Sequence, residues 1–337
     1  MVIGRNEENK LPGSFDAIDA LDYPSDKLEI IYVDSNSGDA SREIAFKRAD
    51  LVLNETHPLP SAARGRNRGL LEAKGEIVHF IDGDTSIDPQ YLKTAVRVLE
   101  DSDIHAVGGY LKEEGQGFWA RLMASAWDSP RDGSAASTSA GGTYRRDPLM
   151  SVNGYDERLV MGEETELGER FRGRGFKICS IDRPMGIHHY SLNGLADYLR
   201  WCVKNGRNRA RTLFVPGDSE FFHQNRMLAL TNALAHILVV LSLGVVFLVR
   251  RPFLVVYLVC AYLLFLLIKY QVFRKIRSSR MLLHLLIMNI ARPFSFWGQC
   301  AEYLKLACHP GYRKLVSVQK QLLDPATVQY GRTIIPE

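Results

Sequence analysis

Residues 228–249 contain no charged side chain and consist mostly of Leu, Val and Ala. As a helix, such a stretch rises roughly 33 Å, enough to cross a bilayer. A second apolar run, 252–268 and extendable to Phe273, follows after only Arg250-Arg251-Pro252. Two adjacent helices of this kind are hard to bury inside a soluble domain of this size; a buried core pair is the alternative. The segment 281–304 is interrupted by Arg292-Pro293 and diluted by His284, Asn289 and Gln299. It reads equally as a third span, a re-entrant segment or an interfacial helix. The expected membrane region is therefore 216–304, followed by a C-terminal tail, 305–337.

Basic residues set the topology. Arg200, Lys204, Arg207, Arg209 and Arg211 precede the first run, and Arg274, Lys275, Arg277 and Arg280 follow the second. Both clusters belong on the cytoplasmic side, which two spans between them permit, with Arg250 and Arg251 outside. Lys305, Arg313, Lys314 and Lys320 place the tail in the cytoplasm as well. The expected location is the cell membrane, multi-pass, with residues 1–215 as a cytoplasmic domain. The mix of basic, Leu, Tyr, Trp and Phe side chains over 195–215 suits an amphipathic segment on an anionic membrane surface. Phe118-Trp119 to Trp127 either faces a lipid acceptor or packs in a core.

The part before residue 216 has a different character. Over the whole chain 46% of residues are hydrophobic and 24% charged, which excludes a disordered polymer. The net charge of +4 gives no argument for nucleic acid as a partner. Five scattered cysteines without a CxxC pair exclude a disulfide framework and a zinc cluster, and imply a reducing compartment for this part. No cleavable signal peptide opens the chain. Residues 30–33 and 77–81 are short apolar runs rich in β-branched residues and predict buried parallel strands. Residues 40–49 and 61–74 predict helices between them, so the pattern is α/β. Only Met1 to Ile3 precede the turn at Gly4-Arg5-Asn6-Glu7, so the first strand is short, whether the chain starts mid-strand or is truncated.

Ligands of such sheets bind beyond the carboxyl ends of the strands, and there stand Asp34 after the first run and Asp82 and Asp84 after the second. Two carboxylates one residue apart form a hard-oxygen site for Mg²⁺ or Mn²⁺ holding a diphosphate, or else an Asp-rich turn capping a helix. In Gly162-Glu163-Glu164-Thr165-Glu166, carried on to Arg170, the carboxylates supply a general base or simply suit a helix start. The guanidinium groups of Ala63-Arg64-Gly65-Arg66-Asn67-Arg68-Gly69 hold phosphates or form a solvated basic face.

Taken in order, these segments resemble family 2 glycosyltransferases, the inverting enzymes of the A-type (GT-A) fold, over roughly residues 2–215. The resemblance rests on Ile3 to Glu8, Tyr23-Pro24, Val33-Asp34-Ser35-Asn36-Ser37-Gly38-Asp39, Ala63 to Gly69 and His79 to Thr85. It continues through Gly141 to Arg146, Val152 to Asp156 and Glu163 to Phe176. It implies a GT-A domain, 1–215, followed by C-terminal transmembrane helices. It also implies a nucleotide-sugar donor, a divalent metal (Mn²⁺ or Mg²⁺) and a lipid-linked, lipid or glycan acceptor. By position, Asp34 would read the donor base and Glu7 contact the ribose region. Arg66 would lie near the diphosphate, Asp82 hold the sugar or ribose, and Asp84 bind the metal directly with Asp82 beside it. Glu164 stands where the family has its Asp base, with Glu163 as the second candidate.

The departures are Ser35 in place of a second Asp and Asp197-Tyr198-Leu199-Arg200-Trp201 in place of QxxRW. Arg200 and Trp201 either cover the diphosphate and acceptor or anchor the chain beside the membrane. His188 or His189 either completes the metal shell or is structural. Two or three spans favour single-sugar transfer over processive synthesis. The reading from another class is a non-catalytic scaffold of a polysaccharide assembly or export complex. Such a scaffold is free to lose the acidic set, whereas Asp34, Asp82, Asp84, Glu163 and Glu164 are all present. A transporter needs more spans and intramembrane polar pairs than the sequence offers.

Overall fold

The computed structural model describes residues 1–100, 103–115, 118–119, 133–138, 141–190, 194–227, 229 and 279–317, with side chains omitted for 279–293. The expected spans 228–249 and 252–273 lie outside the described residues, apart from Ala229.

The apolar runs form strands where the sequence places them. β1 (Val2–Gly4), β2 (Ile31–Asp34), β3 (Leu51–Asn54) and β4 (Ile77–Asp82) lie parallel in the order β3-β2-β1-β4. Their register pairs Gly4 with Asp34, Asp34 with Asn54, and Ile3 with Asp82, so the acidic strand ends share one edge. The remaining strands are β5 (Thr85–Ile87), β6 (Ala106–Gly115), β7 (Gly133–Ser134), β8 (Gly142–Arg145) and β9 (Ile178–Tyr190). β8 runs antiparallel to both β4 and β6, so the sheet is mixed beyond β4.

Strand alternation decides which helix covers which face. Ile3, Ile31, Val33, Val78 and Phe80 point to one side, packing under α3 (Ala62–Glu72), α5 (Arg146–Ser151) and α6 (Glu163–Gly173). Val2, Tyr32 and Ile81 point to the other, toward α1 (Leu11–Asp19) and α2 (Ser41–Phe46). α4 (Tyr91–Glu100) buries Tyr91, Leu92, Ala95, Val96 and Leu99. Helices on both faces explain why β2 and β4 are apolar along their length.

The chain divides into two compact units. The first comprises Met1–Tyr110, Pro130–Gly186 and the stretch from Lys314; the second comprises Leu111–Ser129 and Ile187–Arg313. The second holds α7 (Leu195–Phe214) and α8 (Ser279–Cys308), and α9 (Pro310–Ser317) follows. α7 lies in the second unit with α8, where Arg211 Nε reaches Glu302 Oε1 at 2.6 Å. α8 covers the expected third membrane segment. Among the described residues no helix, α8 included, is long and apolar enough to cross a membrane. The polar side chains of Gln299 and Glu302 are buried in this unit.

Candidate active site

The site of the first unit starts from two turns laced together. Asn6, at φ 58°, donates its backbone N–H to Ser37 Oγ at 2.9 Å and accepts from Gly38 N through Oδ1 at 2.9 Å. Glu7 N–H reaches Ser41 Oγ at 2.8 Å. Asp34, expected at the donor base, is 0% exposed. Its Oδ2 accepts from Ser37 N–H at 2.8 Å and lies 3.7 Å from Arg42 Nε, so its charge holds the turn that follows β2.

Beyond β4, Asp84 Oδ2 lies 3.6 Å from Lys10 Nζ, which in turn lies 4.0 Å from Glu7 Oε2. Burial pushes the Glu7 carboxyl up to about 7, and the nearby Asp84 adds to the rise against the opposing charge of Lys10. Glu7 and Asp84, far apart in sequence, thus share one lysine.

The second cluster centres on Arg66 of α3, which is 1% exposed. Its Nη1 donates to Glu164 Oε1 at 2.8 Å and Glu163 Oε1 at 3.3 Å, while Nη2 donates to Asp82 Oδ1 at 3.2 Å. The guanidinium stacks 5.3 Å from the Tyr155 ring centroid. Burial alone would lower its pKa, but Glu164 and Asp82 raise it well above the ordinary arginine value. Burial, and then the adjacent Glu164, push the Glu163 carboxyl upward. Gly162 starts α6 at φ 77°, a conformation glycine adopts without strain, and this turn delivers Glu163 and Glu164 to the cluster. Glu164 is the more accessible of the two, with 16% of its side chain exposed against 10% for Glu163.

In the expected phosphate-binding run 63–69 the guanidinium groups are buried and paired inside the protein. Arg64 Nη1 meets Glu157 Oε2 at 3.0 Å, and Arg68 Nη1 meets Glu72 Oε1 at 3.0 Å. Arg66, expected beside a diphosphate, binds the three carboxylates Asp82, Glu163 and Glu164. Sequence reasoning gave no role to Asn67, whose Nδ2 donates to Tyr155 O at 2.8 Å and whose Oδ1 accepts from Tyr155 N at 2.8 Å. The signal was available: Asn67 follows Ala63 by four and precedes Leu70 by three, so it lies on the buried face of α3 and needs an internal partner. Tyr155 lies in the Val152–Asp156 segment but had no role assigned, and nothing local marks Glu157.

The other expected site residues belong to the second unit. His188 and His189 end β9. Arg200 Nη1 donates to Asp197 Oδ1 at 2.7 Å on the exposed side of α7. Trp201 stacks on Tyr198 with centroids 5.8 Å apart.

A parallel α/β half continued by antiparallel strands, with carboxylates gathered at the strand ends, is a GT-A-like α/β fold. Residues 1–147 match the model of glycosyl transferase family 2. The chain is 24% identical over 195 residues to glycosyltransferase AglE of Haloferax volcanii, covering 54% of this chain and 64% of that protein. It is 28% identical over 151 residues to the O-antigen biosynthesis protein RfbC of Myxococcus xanthus, covering 37% and 12%. The matches thus span less than two thirds of either relative. Among solved structures, the mannosyltransferase PcManGT of Pyrobaculum calidifontis, in complex with GDP-Man and Mn²⁺, superposes with a TM-score of 0.56 at 20% identity. That likeness covers 88% of this chain and 86% of the other.

Proposed function

We propose that the protein is a membrane-associated inverting glycosyltransferase. It moves one sugar from a nucleotide-diphospho-sugar to a lipid-linked, lipid or surface-polysaccharide acceptor, with the catalytic part in the cytoplasm. The observation that carries this reading is the convergence of Asp82, Glu163 and Glu164 on the buried Arg66 at the carboxyl ends of the parallel strands. The family match over residues 1–147 and the relatives' names support it.

Glu164 is the base. As the acceptor oxygen bonds to the anomeric carbon, its proton passes to the Glu164 carboxylate. The bond from that carbon to the phosphate oxygen breaks, and its electron pair leaves with the nucleoside diphosphate. Arg66 grips Glu164 through Oε1, and the other carboxylate oxygen would take the proton. Glu163, deeper and with a raised proton affinity, supports the Arg66 position. Glu7 and Asp34 hold the turns against which the nucleoside lies; a role for Arg200 and Trp201 at the donor rests on the resemblance alone.

The donor set fits a divalent cation. Asp82 and Asp84 offer hard oxygens, and Mg²⁺ or Mn²⁺ binds through one or two carboxylates while waters and substrate phosphates complete the shell. Lys10 at 3.6 Å shows that Asp84 already draws a cation. Asp84 would hold the metal, with Asp82 beside it; a place for His188 or His189 in the shell rests on the resemblance alone. When bound, the cation supplies positive charge that offsets the departing diphosphate.

The test is nucleoside diphosphate release by the detergent-solubilised chain from UDP-, GDP- and dTDP-sugars, with Mn²⁺, Mg²⁺ or EDTA. One donor is expected to be turned over slowly in a metal-dependent manner, and Asp84→Ala should abolish it. If no donor is hydrolysed and no nucleotide with metal shifts the melting temperature, the catalytic reading fails.

A further inference from the structure

α7 carries Arg200, Lys204, Arg207 and Arg211 at spacings of four, three and four. At 3.6 residues per turn these side chains fall within a stripe roughly 60° wide. The stripe borders a groove of about 570 Å³ whose remaining walls are Leu199, Val203 and Asn208 of α7 and Phe294 of α8. Arg200 is engaged by Asp197 and Arg211 by Glu302. Lys204 and Arg207 have no carboxylate partner among the described residues. The groove thus presents two uncompensated cations over an apolar floor.

The groove is also rigid. A Cβ on Gly206 would lie 1.9 Å from Ser295 O, and one on Gly298 would lie 2.2 Å from Val203 O. The backbones of α7 and α8 therefore touch on both sides of the crossing, and only glycine permits that approach. Next to the groove α8 leaves Phe294, Trp297 and Leu304 in solvent, the latter two 72% and 66% exposed. Basic side chains beside an exposed Trp–Phe–Leu stripe match the two layers of a bilayer surface: phosphate headgroup and upper acyl chain.

We propose that the α7–α8 groove binds the phosphate of an anionic phospholipid, with Lys204 and Arg207 on the headgroup and Trp297 in the adjoining acyl layer. Charge complementarity and apolar walls select a phosphate-bearing amphiphile over a free anion. The proposal deepens the membrane-associated part of the function above and is independent of catalysis.

The test uses the full chain in neutral detergent, titrated by tryptophan fluorescence with dioctanoyl phosphatidylglycerol, dioctanoyl phosphatidylcholine and inorganic phosphate, without donor. Saturable binding of phosphatidylglycerol is expected, with phosphatidylcholine and phosphate at least tenfold weaker. Lys204→Glu with Arg207→Glu should weaken phosphatidylglycerol about tenfold or more, and Trp297→Phe should remove most of the fluorescence change. If the charge-reversed pair does not fold, Lys204→Gln with Arg207→Gln replaces it, with a smaller loss expected. Equal affinity for the two lipids, phosphate binding as tight as phosphatidylglycerol, or unchanged binding by the variants would each overturn the proposal. Because donor release is measured separately, failure here leaves the catalytic reading standing, and the reverse also holds.

Discussion

Removing the Arg66 charge should expose how the site is balanced. In Arg66→Met the side chain still fills space over Tyr155, but Asp82, Glu163 and Glu164 face one another without their common partner. Stripping one member from a buried ion pair costs about 3–5 kcal/mol, mostly from the charge left behind. Asp82 is partly solvated, with 41% of its side chain exposed, so Glu163 and Glu164 carry most of that cost. For a chain with about 200 residues in the folded unit, this corresponds to a fall in Tm of roughly 10 °C. The sign with pH follows from the carboxyls. Without the guanidinium the Glu163 carboxyl, which burial already raises, rises further above its unfolded value. The penalty is then fully present above the folded value and relieved as pH falls through it. Melting curves in detergent at pH 8 and pH 5.5 should therefore show a wide gap between variant and parent at pH 8 and a narrower one at pH 5.5. Adding Glu163→Gln should recover part of the loss at pH 8. A gap equal at both pH values, or a loss below about 1 kcal/mol, would refute the reasoning that charge balance holds this cluster.

Other consequences can be measured directly. Glu164→Gln should keep donor affinity, read by calorimetry, while transfer falls roughly 10²–10⁴-fold; full transfer by this variant, with loss in Glu163→Gln, would move the base by one residue. Glu7 titrates near 7 when folded, above its ordinary value, so its contribution to stability is present in acid and lost as pH rises through 7. Glu7→Gln should flatten the fall in Tm between pH 5 and pH 8, and an unchanged slope would assign it to other groups. Asn67→Ala removes the partner of both Tyr155 backbone groups and should cost about 2–4 kcal/mol in denaturation experiments. Gly206→Val should separate α7 from α8, detectable as faster proteolysis at α8 than in the parent.

The parallel half of the fold was legible because its strands are buried on both faces and therefore apolar throughout: 30–33 and 77–81 became β2 and β4, and the helices between them became α2 and α3. The acidic residues at the strand ends were legible for the same reason, since an Asp that closes an apolar strand lies at the ligand-binding edge. The antiparallel half was not. β6, β8 and β9 pair across long separations, and neither their partners nor their register leave a local trace. The partners of the α3 arginines were hidden for a related reason. A run of Arg reads as a solvated or phosphate-binding face until the fold brings Glu157, Glu163 and Glu164 to it from 93 to 98 residues away.

That pairing changes the physical argument about the donor. Had Arg64, Arg66 and Arg68 been unpaired, they could have neutralised a diphosphate by themselves. With these cations internally compensated, the carboxylates Asp82, Asp84, Glu7, Glu163 and Glu164 outnumber the cations paired with them, and Lys10 is shared between two of them. A diphosphate approaching these carboxylates would meet repulsion that solvent screens only in part. On the proposed reading, a divalent cation between Asp84 and the phosphates is then a condition of donor binding as well as an aid to the leaving group. Arg66 and the DxD carboxylates are then parts of one electrostatic arrangement: on the proposed reading, the first holds Glu164 and Asp82 in place, and the second leave a deficit of positive charge for the cation to fill.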